Sequence, residues 1–174
     1  MNRGQVILVD TNVIIESVRV SCWSTLKAHF SMETVDKCCE EARSGERRRP
    51  NYVVMDEDAL RVGVKIHPVS ARELAMLAVH NPYSERLDLG ELHLWADART
   101  RGDAWLASSA DHAAVCSAAR LGWIDRLVSL EELARTAGAH QAAGKLKDQF
   151  STARRTRVPA PGPRSRENRS SRSS

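Results

Sequence analysis

Apolar residues in this chain fall into short continuous runs separated by segments of helical period. Residues 5–9 (QVILV) are one such run, stopping at Asp10, Thr11 and Asn12. A run this short, ended by helix-starting residues, predicts a strand covered on both faces and then a helix to about residue 26. Residues 29–33 predict a second strand. Thr34 then caps a helix with Val35, Cys38, Cys39 and Ala42 on its apolar side, ending near Gly45. Residues 46–63 show no clean period and read as a loop with short structure around 59–62. Residues 64–67 predict a strand leading to Pro68, and Ser70 caps a helix to about Val79, closed by Asn81-Pro82. Residues 89–99 are helical, with Leu92, Trp95 and Ala96 on one side, and Gly102 ends them. Beyond them lie a buried strand at 104–108 (AWLAS), a helix at 111–121, a short strand at 127–129 and helices at 130–136 and 139–150.

Strands alternating with helices predict the α/β class, a parallel sheet of four to five strands flanked by helices in three layers. At 174 residues the chain fits one domain of ordinary size. That domain is expected to span residues 1–150. After Phe150 the proline, serine and arginine content cannot build a core, so residues 151–174 are expected to be a disordered basic tail.

Charge changes the picture only once it is located. Of the formal net charge of +4, the seven arginines and one glutamate after Phe150 contribute +6, which leaves residues 1–150 at −2. The basic balance therefore belongs to the tail and says little about the folded body. No apolar run approaches the roughly 18 residues needed to span a bilayer, and no signal-peptide core is evident near Met1, so the expectation is a cytoplasmic protein without membrane contact. Four cysteines, two of them adjacent (Cys38, Cys39), match neither a disulfide framework nor a paired zinc motif.

The carboxylates carry the chemistry. In an open α/β sheet, ligands bind beyond the carboxyl ends of the strands. Asp10 ends the first predicted strand, Glu40 and Glu41 lie on the helix after the second, Glu91 is early in the 89–99 helix, and Asp111 follows the 104–108 strand. Converging carboxylates repel one another unless a cation shares the site. An all-oxygen set suits Mg2+ or Mn2+, and phosphodiester hydrolysis is the matching reaction. Singly, each acid has a plainer reading: Asp10 and Asp111 as helix caps, Glu91 as a first-turn acid favoured by the helix dipole.

The ordered set resembles a known family. The strand followed by Asp10-Thr11-Asn12, the Asp88-Leu89-Gly90-Glu91 motif and Ser109-Ala110-Asp111 resemble the successive motifs of PIN domains, over roughly residues 5–136. The resemblance implies a PIN-like fold and a Mg2+- or Mn2+-dependent endoribonuclease acting on single-stranded or structured RNA. It implies Asp10, Glu40, Glu91 and Asp111 as catalytic metal-holding acids, with Thr11, Asn12 and Ser109 orienting them. For the second acid, Glu41, Asp36 and Glu33 stand as rivals to Glu40. Many bacterial PIN domains are toxins, so an antitoxin partner and a homodimer are implied as partners beside RNA. The competing expectation is a PIN-like module that binds RNA or a protein without cutting.

Other residues support less. His112 and Cys116 have helical ligand spacing but no second pair. Asp88, His93 and Asp97 lie near the proposed site in sequence, each with a solvated helix face as its plain reading. The Arg47-Arg48-Arg49 run is a candidate flank for an RNA groove. A dehalogenase-like phosphatase is disfavoured because Asn12 stands where its second aspartate belongs. No glycine-rich phosphate loop is present to support a nucleotide-binding module.

Overall fold

A computed structural model describes residues 1–44 and 62–155. In chain order the elements are β1 (Val6–Val9), α1 (Thr11–Arg19), α2 (Trp23–His29), β2 (Ser31–Val35), α3 (Asp36–Ser44), β3 (Lys65–His67), α4 (Ala71–His80), α5 (Leu89–Thr100), β4 (Trp105–Ser108), α6 (His112–Arg120), α7 (Leu130–Thr136), α8 (His140–Ala143) and α9 (Thr152–Arg155). Single 3-10 turns lie at Pro82–Arg86, Ile124–Arg126 and Asp148–Phe150. The fold is α/β, with a four-stranded parallel sheet ordered β3-β2-β1-β4.

The continuous apolar run of β1 is explained by two cores, one on each face of the sheet. Ile7 and Val9 pack with Ile14, Trp23, Leu26, Met32 and Leu133 on one side. Leu8 packs with Val35, Leu77, Leu94, Trp95 and Trp105 on the other. A strand covered twice has no polar face, so alternation is absent from its sequence. The strand order also places a switch point. From β1 the chain builds outward through β2 to β3, then returns to add β4 on β1's other edge, which opens a crevice at the carboxyl ends of β1 and β4.

Several boundaries differ from the sequence expectation. The helix after Asp10 is broken: α1 stops at Arg19, and Ser21 takes a left-handed φ of 62°. That turn lets Cys22 and Trp23 enter the core as α2 begins. Strand β2 lies two residues later than predicted, so Thr34 is in the strand and caps nothing. Its hydroxyl donates to the Val9 carbonyl at 2.7 Å, tying β2 to β1. Residues 127–129 make one bridge, Leu127 to Ala107, because a Ser129–Glu132 capping box starts α7 immediately. The expected 139–150 helix is only α8 followed by a turn into Phe150. There the Lys147 amide leaves helical pairing and donates to the buried Glu16 carboxylate at 2.9 Å.

Order also continues past residue 150. The Thr152 amide donates to Glu131 at 3.1 Å, and the Thr152 and Ser129 hydroxyls lie 3.0 Å apart. Residues 45–61, with the Arg47-Arg48-Arg49 run and the short structure expected at 59–62, lie outside the described residues, as does the tail from 156. No helix among the described residues is long and apolar enough to cross a membrane.

Buried charge is paired away from the crevice. Arg101 donates to Glu33 at 2.8 Å and to Asp97 at 2.7 Å, and His67 meets the same Glu33 at 2.7 Å. The guanidinium and the His67 contact hold the Glu33 carboxyl below its ordinary range despite burial. Removing one member of a buried ionic cluster leaves an uncompensated charge. Arg101→Met is therefore expected to cost about 3 kcal/mol, read as a lower urea midpoint, and Glu33→Gln in the same chain is expected to recover part of it.

Candidate metal centre

Three helix N-termini meet at the crevice, and each begins with an aspartate. Asp10 caps α1 by accepting from the Val13 amide at 2.7 Å. Asp88 caps α5 through the Glu91 amide at 2.8 Å, and Asp111 caps α6 through the Ala113 amide at 2.6 Å. Capping is thus real at all three positions, but it uses only part of each carboxylate. Asp10 is 1 % exposed, and its Oδ2 has no hydrogen-bond partner among the described residues.

Glu91 is not explained by capping at all. Two other helices here begin Ser-x-x-Glu, and in both the glutamate reaches back to the cap: Glu73 onto Ser70 and Glu132 onto Ser129. Glu91 has the same position after Asp88 but turns inward. It is 3 % exposed, and its Oε1 is unpartnered. A glutamate at this position ordinarily satisfies itself on its own helix. Leaving one oxygen of a buried carboxylate unpaired costs free energy unless another group completes it.

The two buried acids feel the charges around them. Burial, with the charges of Asp88, Asp10 and Asp111 added, pushes the Glu91 carboxyl up to about 9. Burial is also the largest influence on Asp10, which rises to about 6. The Ser109 hydroxyl and Val13 amide draw it back, while Asp88 and Asp111 push it further. Asp88 and Asp111 are exposed, so the centre has a buried pair beneath a solvent-facing pair.

Glu40 and Glu41 separate clearly. Glu40 is exposed and paired with Lys37 at 2.6 Å, so the structure does not bring it to the other three predicted acids. Glu41 instead lies against the centre, accepting from the Thr11 hydroxyl at 2.9 Å and from the Gly90 amide at 2.8 Å. The physical reason is the helix period. With Cys38, Cys39 and Ala42 buried, position 41 borders the inward face of α3 and position 40 points away. Gly90 makes the approach possible, since a Cβ there would collide with the Glu41 carboxylate and stand 3.2 Å from the Cys38 sulfur.

Of the predicted orienting residues, Thr11 holds Glu41, and the Ser109 hydroxyl accepts from the Asp111 amide at 3.2 Å while favouring ionised Asp10. Asn12 is exposed and makes no side-chain hydrogen bond to a carboxylate among the described residues. Of the other rivals, Glu33 belongs to the Arg101 cluster, and Asp36 faces His93 at 3.7 Å. His112 and Cys116 do meet, Nδ1 to Sγ at 3.6 Å. Asp88 was weighted too lightly by sequence reasoning; the available signal was an aspartate three residues before a glutamate at a helix start.

Hard divalent cations fit this donor set: carboxylate oxygens only, two of them buried and unpartnered. Among the described residues, however, no group of three or more His, Cys, Asp or Glu side chains is placed to hold an ion by itself. Mg2+ and Mn2+ sites of this kind are completed by waters and phosphate oxygens. A cavity of about 30 Å³ beside Asp111, lined by Ser108, Ser109, Ser129 and Gln149, has room for a water or two near the unpartnered Ser108 hydroxyl.

Two expectations follow. Asp10 and Glu91 hold their protons more tightly in the folded chain than in the unfolded one, where their ordinary values are 3.8 and 4.5. The stability this supplies is complete below those values and is lost as pH rises through about 6 for Asp10 and about 9 for Glu91. Metal-free protein should therefore lose thermal stability steadily from pH 5 to pH 9, and Glu91→Gln should flatten the decline and melt higher than wild type at pH 9. Gly90→Ala, which displaces Glu41, should destabilise the protein by about 1 to 3 kcal/mol in urea unfolding. Adding Glu41→Ala to Gly90→Ala should relieve the overpacking and leave a smaller combined loss.

Among known proteins, no family model matches the chain and no curated protein matches it significantly, so the functional reading has to be carried by the residues of the crevice.

Proposed function

We propose that this chain is a divalent-cation-dependent ribonuclease that hydrolyses phosphodiester bonds at the crevice between β1 and β4. The observation that carries the reading is the pair of buried, unpartnered carboxylate oxygens on Asp10 and Glu91, held among two further aspartates. Structural acids elsewhere in the molecule are completed by arginine, histidine or backbone amides, as Glu16 and Glu33 are. On each of these two, one oxygen has no hydrogen-bond partner among the described residues. The choice of RNA rests on the resemblance of the Asp10, Gly90-Glu91 and Ser109-to-Asp111 motifs to PIN domains.

Asp10, Glu91 and Asp111, with Asp88 at the rim, are the residues that would hold Mg2+ or Mn2+. When bound, the cation supplies charge stabilisation for the phosphoryl oxygens and lowers the pKa of an attacking water. The chain's own contribution is preorganisation. Capping bonds fix the aspartate rotamers, Ser109 and the Val13 amide favour ionised Asp10, and burial of Glu91 keeps bulk water from competing. Glu41 acts through position, locking the α5 start to α1 by its bonds to Gly90 and Thr11. A toxin role, an antitoxin and a homodimer remain implications of the same resemblance.

A second reading has a specific observation behind it. Glu40 faces solvent and no ready-made cage exists among the described residues, as in a PIN-like module that binds without cutting. The two readings part on one experiment. Labelled single-stranded RNA is incubated with protein in EDTA, Mg2+ or Mn2+. Metal-dependent cleavage is expected, falling at least a hundredfold in Asp10→Asn, Asp111→Asn and Glu91→Gln, by a smaller factor in Glu41→Gln and not at all in Glu40→Gln. Mn2+ should also raise the melting temperature of wild type and not of Asp10→Asn, because a ligand that binds only the folded state stabilises it. Inert wild type with no Mn2+ shift would hand the lead to the binding module.

A further inference from the structure

Outside the acidic centre, one surface cluster combines aromatic and cationic groups without an assigned use. Tyr83, half-buried in the 3-10 turn before α5, has the Arg86 guanidinium 5.1 Å from its ring centroid and that of Arg120, at the end of α6, 4.7 Å away. Both arginines are exposed, and neither is ion-paired with a carboxylate among the described residues. The mount beneath them is rigid. Asn81 and Ser117, both buried, join the turn to α6 through a 2.6 Å hydrogen bond, and Ser84 is 2 % exposed.

We propose that Tyr83, Arg86 and Arg120 form a phosphate clamp for a single-stranded RNA beside the acidic centre; the inference rests on the nuclease reading for the identity of the strand. A guanidinium lying over an aromatic ring uses its flat face for the contact. Its five N–H donors lie in the plane and stay available to grip phosphate oxygens in pairs. Stacking also holds the side chain still, so less rotamer freedom is lost when a phosphate arrives. Two such arginines on one ring present two prepared anion grips. Arg86 is two residues before Asp88, so their Cα atoms are within about 7 Å of each other. Arg120 lies about 13 Å along α6 from Asp111, so the Arg86 side of the clamp is the one nearer the carboxylate centre along the chain. Local electrostatics favours such a device: residues 1–150 carry −2, and the carboxylate centre repels the polyanion it is proposed to cut.

The test measures binding separately from cleavage, with a fluorescent single-stranded RNA and the full chain in EDTA, by anisotropy over a range of salt. In Arg86→Gln/Arg120→Gln the affinity is expected to fall about tenfold or more. The slope of log affinity against log salt should shrink by about 1.4, two contacts at roughly 0.7 each. Tyr83→Leu, which keeps both charges but removes their platform, should weaken binding, and Tyr83→Phe should bind as wild type. Arg3→Gln/Arg72→Gln, which removes equal charge from other exposed sites, should bind nearly as wild type. Melting temperatures establish that each variant is folded. Unchanged affinity and slope in Arg86→Gln/Arg120→Gln overturn the clamp, as does an equal loss in the Arg3/Arg72 control. If wild type binds RNA through the clamp but does not cut it in Mn2+, the nuclease reading fails and the clamp stands. If wild type cuts RNA while the clamp variants bind normally, the clamp alone fails.

Discussion

Carboxylates that share a low-dielectric crevice cannot all be ionised without a counter-charge, and much of this fold is arranged around that constraint. Asp10 and Glu91 are buried within reach of Asp88 and Asp111, and burial together with those neighbouring charges raises the proton affinity of both buried acids. The chain supplies partial compensation from three converging helix N-termini, whose amide dipoles favour negative charge. That compensation is incomplete, since one oxygen on each buried acid has no partner. A folded chain that keeps such a site pays for it with stability drawn from elsewhere.

The source of that stability is visible. Both faces of the sheet are covered, and two other buried acids are met by partners of their own: Glu16 by Arg19 and the Lys147 amide, Glu33 by Arg101 and His67. The Glu16 contact also anchors the segment that carries Phe150 into the core. Glu16 and Glu33 sit below their ordinary pKa range, whereas Asp10 and Glu91 in the crevice sit above it. The contrast separates structural carboxylates from candidate functional ones within a single chain, where composition alone treats them alike.

How much of this was legible in the sequence depended on the range of the interaction. Strands β1 and β4, the α/β class, the helix starts at Asp10, Ser70 and Asp111 and the helix from Leu89 follow from local apolar runs and capping chemistry, and all are present. The break at Ser21 and the turn at 144–147 were not legible. Both are set by tertiary demand, the burial of Trp23 in one case and the Glu16 acceptor in the other. At the candidate site, Asp10, Glu91 and Asp111 were found from position relative to strands. The choice between Glu40 and Glu41 was open until the neighbour across the gap, Gly90, was known.

Gly90 shows why a motif can be read correctly and still be misjudged. A glycine before a buried glutamate suggests freedom of the backbone, yet Gly90 lies inside a regular helix with no unusual φ. What it provides is the absence of a side chain. The Glu41 carboxylate occupies the space a Cβ would take, and its Oε1 accepts the Gly90 amide, one of the donors a helix start leaves without an intrahelical partner. The same carboxylate takes the Thr11 hydroxyl at the start of α1. One acid therefore bridges two of the three helix starts that present the aspartates, through one hydrogen bond to each. The spacing of the crevice acids is then a property of the Glu41 and Gly90 pair as much as of the acids themselves, and the motif glycine and the glutamate of α3 act as a single mechanical unit.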